Sequence, residues 1–142
     1  MGISGQLEEK RVSVSDGRVW AGMGNFRLVS PDGAHAAELA YEGEPPHGDS
    51  YHSLQIDGRP FPGHAWGCFF AFAADSKYLG CSWMPHLFER KTVVVDLLKP
   101  QYFVLPKYIY DFTIEWPRVV GSREHDKSET YVFMGQETWH AW

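Results

Sequence analysis

Histidines and carboxylates are the first places to look for chemistry in this chain. His47, His52 and His64 fall within 18 positions of one another, and clustered imidazoles can bind a metal or relay a proton. Metal sites, however, draw their ligands from tight spacings on one element, such as two histidines a strand-step apart or four apart on a helix. His47 and His52 are separated by four residues across a loop with Asp49 as the one nearby hard ligand, so surface or loop histidines are expected. Asp111 and Glu115 should be neighbours on one strand face, as in a glycosidase pair, but nothing marks one as buried and the other as solvated. Structural or solvated acids are the expectation there. Gly48-Asp49-Ser50 sets a serine beside a carboxylate, yet a serine nucleophile also needs an oriented base. Cys68 and Cys81 are the only cysteines. They lie too far apart for a redox motif and read as a reduced pair in core strands.

The Gly48-Asp49-Ser50 triplet resembles the nucleophile block of GDS-type esterases. That resemblance implies an α/β fold with the serine between a strand and a helix, and a late Asp-x-x-His partner. Here the triplet sits in a Pro-rich loop, and His125-Asp126 has the reverse order, so an ordinary loop serine is expected. Gly22-Met23-Gly24 lacks the following helix that a phosphate-binding loop requires. The residues point to no catalytic machinery and call for no cofactor and no metal.

Thirteen Lys and Arg against 18 Asp and Glu give a net charge of −5 with His neutral. No basic stripe interleaved with aromatics is present, which argues against a nucleic-acid binder. Acidity permits a basic protein partner. Met1 to Lys10 has neither a basic n-region nor an apolar h-region, and no apolar run approaches the roughly 20 residues of a membrane helix. A cytoplasmic protein without membrane contact is expected.

Hydrophobic residues at 44% suffice for a core, and aromatics at 15% favour pleated, half-buried positions. The 142 residues read as one all-β domain. Val12 to Val14 and Arg18 to Ala21 flank Asp16-Gly17 as a hairpin. Strands follow over 26–29, 35–41, 51–56, 67–73, 78–83, 91–96 and 102–105. The later strands are 108–114, 119–120, 130–134 and 138–142, and no helix of three turns is expected.

Ser30-Pro31-Asp32-Gly33 precedes a strand that starts at Ala36-Ala37, and Ala74-Asp75-Ser76 precedes one at Tyr78-Leu79-Gly80. Asp32 and Asp75 lie 43 residues apart. Glu115-Trp116-Pro117-Arg118 before Val119-Val120 forms a degraded third copy. A period near forty residues marks stacked β-meanders. This phrase, with a charged loop, a V-x-D-type strand and a last edge strand, resembles the blade repeat of TolB-like and WD-type β-propellers, best over 30–61 and 72–105. The resemblance implies three blade-like, antiparallel four-stranded units at about 20–61, 66–105 and 108–142. Propellers close with about four to eight blades. Three units therefore leave a partial ring, a ring completed by a second chain, or a twisted sheet or sandwich.

Equivalent loops of a repeat emerge on one face, often the binding face. Those loops are 42–50, 84–90 and 121–129, and they carry Glu42, Glu44, Asp49, His86, Phe88, Glu89, Glu124, Asp126 and Glu129, with Tyr51 and Trp83 at their bases. Acids around apolar anchors suit a cationic protein partner. In general type the chain is similar to small bacterial toxin-immunity proteins. That likeness implies capping of a basic toxin such as a nuclease. A small-molecule or carbohydrate-binding module, a small hydrolase built on His52 or His64, and a homodimer through exposed sheet edges are the other expectations.

Overall fold

A computed structural model describes residues 7–46, 48–122, 124–126 and 129–142. His47 of the histidine group, residues 1–6 and part of the 121–129 loop lie outside the described residues. The chain is all-β, and among the described residues no helix is long and apolar enough to cross a membrane. Its strands are β1 (Glu8–Arg11), β2 (Arg18–Trp20), β3 (Phe26–Val29), β4 (Ala36–Gly43), β5 (Tyr51–Ile56), β6 (Arg59–Pro60) and β7 (His64–Phe72). They continue as β8 (Tyr78–Met84), β9 (Lys91–Asp96), β10 (Gln101–Val104), β11 (Phe112–Glu115), β12 (Arg118–Gly121), β13 (Thr130–Val132) and β14 (His140–Ala141).

The large sheet is open, with strand order β1-β3-β4-β5-β7-β8-β9-β10-β14 and with β2 on β7 and β6 on β5, while β11-β12-β13 form a second sheet. The join is β5 on β7, through Tyr51 opposite Trp66 and His52 opposite Ala65. The expected 12–21 hairpin does not form. A turn is present, with Gly17 at φ +74° and its N–H donating to Ser13 O, but its arms part. β1 runs parallel to β3, and β2 pairs with the far half of β7. Burial drives the separation, because Val12 and Ala21 at the two arms both enter the core. The third unit likewise lacks a fourth strand of its own, since β14 pairs with β10.

The two turns that lie 43 residues apart are closed by matching hydrogen bonds. Gly33 N–H donates to Ser30 O and Ser76 N–H to Ala73 O, both at 2.9 Å. Ala34 N–H donates to Asp32 Oδ1 at 2.8 Å, and Lys77 N–H to Asp75 Oδ1 at 3.0 Å. Ser30 pairs with His35 as Ala73 pairs with Tyr78. The two turns also touch, because Asp32 N–H donates to Ser76 Oγ at 3.0 Å.

Central strands β7 to β9 are covered on both sides, which is why Phe70-Ala71-Phe72 and Val93-Val94-Val95 are apolar without interruption. Phe70, Phe72, Val93 and Val95 pack with Leu28, Leu39 and Ile56 of β3 to β5. Ala71 and Val94 face the other way, onto Phe112, Ile114 and Val119 of the small sheet and onto Ile109 just before it. A side chain on Gly80 would strike the Phe112 ring, so glycine lets the two sheets approach closely.

Candidate protein-binding face

The loops that follow β4 and β8 emerge at the same end of the large sheet and meet. Asp49 accepts from Arg90 Nη2 at 3.2 Å and from the Cys68 thiol at 3.2 Å, both through Oδ2. Arg90 lies over the Trp66 indole, 4.0 Å from its centroid, and Trp66 Nε1–H donates to Glu89 O at 3.1 Å. Tyr51 meets Phe88 edge-on at 5.8 Å and His64 at 5.6 Å. The structure therefore gathers Asp49, Tyr51, Phe88 and Glu89. His86 shares their loop, exposed, with its carbonyl accepting from Glu89 N–H.

The third loop joins through aromatic contacts. Tyr110 packs against Phe69 at 5.8 Å and against His125 at 5.5 Å. Asp126 Oδ2 accepts from Asp111 N–H at 2.8 Å, and Glu124 stands exposed beside it. Asp111 itself is fully buried, pairing with Arg18 and with His125 Nδ1 at 2.9 Å. Burial works against the Asp111 carboxylate, but the hydrogen bonds from Arg18 and His125 outweigh it and hold its pKa below the usual range.

Several expected residues stand elsewhere. Trp83 is no surface anchor. It is 5% exposed, packed between Phe61 and Tyr102, with Nε1–H donating to Pro62 O at 2.7 Å. Its place follows from the pleat, which puts Leu79, Cys81 and Trp83 on one face, toward the core. Asp111 and Glu115 are not a working pair either. Asp111 is sealed by its two partners, whereas Glu115 lies exposed at the end of β11, 3.6 Å from Arg118.

Ser50 is buried and donates to Gly22 O at 2.9 Å, so its hydroxyl is held by backbone and not by a base. His52 is fully buried, its Nε2 2.9 Å from Gly24 O, with Nδ1 left without a partner. Burial lowers its pKa, keeping the ring neutral. Burial likewise pushes the Cys68 thiol up to about 12 and raises that of Cys81. Neither cysteine is poised as a thiolate. Among the described residues no three His, Cys, Asp or Glu gather as metal ligands.

Residues that the loop argument passed over complete the face. Trp20, Met23 and Tyr41 are 43%, 65% and 39% exposed, and Leu87 next to Phe88 is 56% exposed. Gly22 at φ +80° and Gly24 at φ +120° turn the chain around Met23, so the Gly-Met-Gly triplet was the available signal. Beside them Glu42 projects from the end of β4, and Glu44 accepts from Tyr41 OH at 3.3 Å. A cleft of about 280 Å³ is lined by Trp20, Met23, Glu44 and Asp49, together with Gly67 and Ser50. The larger cleft of about 600 Å³ lies at the opposite end of the strands, among Asp16, Asp75, Glu115 and Trp116.

No known protein family matches this chain, and no curated protein or solved structure matches it.

Proposed function

We propose that this chain is a non-catalytic protein-binding module, specifically a cytoplasmic immunity protein that caps a basic toxin such as a nuclease. One observation carries the reading: exposed Trp20, Met23 and Tyr41 stand together with Glu42 and Glu44, and Leu87 and Phe88 stand with Glu89. Aromatic and sulfur side chains left in water supply anchoring area, and the surrounding carboxylates steer a cationic partner. The role of Trp83 passes to Trp20 in this reading. The matched turns at Asp32 and Asp75 further support duplication of a blade-like unit, with the third copy diverged.

The test is a tagged pull-down from the native host with the retained proteins identified by mass spectrometry. One stoichiometric partner, toxic when expressed alone and harmless with this chain, is the expected result. Retention of glycans on an array with no protein partner would overturn the reading.

A further inference from the structure

Twice among the described residues an arginine lies over an aromatic ring while its guanidinium reaches a carboxylate. Arg90 covers Trp66 at 4.0 Å and bonds Asp49, and Arg18 covers Phe69 at 4.9 Å and bonds Asp111. A planar guanidinium suits both contacts at once, through its face for the ring and its edge for the carboxylate.

Trp20 offers the same two halves without the arginine. Its indole is exposed, and the cleft beside it is lined by Glu44 and Asp49. Among the described residues no cation stands over this ring. Lys10 is nearby, but it donates to the Trp20 carbonyl and lies over Phe26 at 4.6 Å. Asp49 receives Arg90 and Cys68 through Oδ2, and Glu44 receives the Tyr41 hydroxyl on Oε1. Among the described residues no Lys or Arg side chain lines the cleft. Trp20 also meets Phe69 edge-on at 5.1 Å, which fixes the indole as a wall.

We infer that the cleft lined by Trp20, Met23, Glu44 and Asp49 seats an arginine side chain of the cationic protein that this face binds. The inference rests on the proposed protein-binding role and adds the chemistry of its central contact. The guanidinium stacks on Trp20 with its edge toward Glu44 and Asp49, and Met23 covers the aliphatic stem.

The test separates the cleft from the whole partner. N-acetyl-arginine amide is titrated into the protein while the tryptophan indole N–H signals are followed by NMR. The neutral citrulline analogue and N-acetyl-lysine amide serve as comparisons. A saturable shift of the Trp20 signal with the arginine probe, absent with citrulline and weaker with lysine, is expected. Trp20→Ala and Glu44→Gln should each weaken binding by about tenfold, a loss of about 1.4 kcal/mol, and Glu115→Gln at the other end should not. An equal response to citrulline or lysine, or unchanged binding in both cleft variants, overturns the assignment. If the pull-down yields a toxin partner but the arginine probe does not bind, this inference falls and the capping role stands. If the probe binds and no protein partner is retained, the guanidinium site stands and the capping role falls.

Discussion

The turns at 30–35 and 73–78 and the loops at 43–50 and 84–90 sit at opposite ends of the same strands, yet they treat their polar groups differently. At the turn end Asp32 satisfies Ala34 N–H and Ser30 Oγ, and Ser76 Oγ satisfies Asp32 N–H. Those groups complete the backbone. At the loop end Glu42, His86 and Glu89 project into water beside Met23, Leu87 and Phe88. The contrast separates what the fold needs from what it presents, because a side chain that completes no internal bond and fills no core is free to meet a partner.

The loop end is nonetheless anchored from below, and this supplies the largest expected effect. Asp111→Ala leaves Arg18 facing the core without its carboxylate and frees the His125 loop. Removing one partner of a buried ion pair costs about 3 kcal/mol, at the low end of the usual range because the Arg18 side chain is 28% exposed. Urea denaturation should show that loss. An unchanged midpoint would mean that the third loop is held by its aromatic contacts alone.

Acid should act on the same end through His52. Its pKa is lowered by burial, so between the folded value and the ordinary 6.5 the unfolded chain binds the extra proton. Stability is complete above pH 6.5 and falls as the pH drops below it, by about 1.4 kcal/mol for each unit of the depression. His52→Gln should be less stable at neutral pH and should lose that slope. Persistence of the slope in the variant would assign it to another group. Gly67 lies against this ring, and a side chain there would run into Gly22 O, Ser50 Oγ and the imidazole. The seam between the two halves of the sheet therefore has little room to accommodate a charged histidine.

How far each end was legible follows from the range of the interactions involved. The turn end was readable because Pro31, Gly33, Asp32 and Asp75 act on atoms two or three residues away, so the local sequence dictates the hydrogen bonds. The pairing of β5 with β7, the parallel β1 and the departure of β14 to β10 depend on partners far along the chain, and strand composition does not encode them. Trp83 does stand at a loop base, but the alternation of Leu79, Cys81 and Trp83 turns it to the core, so it cannot serve as an exposed anchor. In the sequence Trp20 reads as one arm of a hairpin, whereas its actual partner, β7, lies about fifty residues on.

A smaller effect tests whether the turn end is as self-contained as its bonding indicates. Ser76→Ala keeps the chain at φ +62° but removes the acceptor for Asp32 N–H. One part-buried hydrogen bond contributes about 1 kcal/mol, and the loss should show in thermal unfolding with no change in partner binding. A binding defect in this variant would blur the division between the two ends.

The smallest effect on stability is expected where the effect on binding is largest. Trp20→Ala and Glu44→Gln alter side chains at the loop end that complete no buried network, and each should leave unfolding within about 0.5 kcal/mol of the parent. Trp20 is the stricter case, because its edge contact with Phe69 gives it some part in packing. A stability loss well above that figure in Trp20→Ala would make the indole a prop for Phe69 and Tyr110, and its exposure would then be incidental. Unchanged unfolding together with lost capture of the partner places Trp20 among the groups the fold presents and does not use.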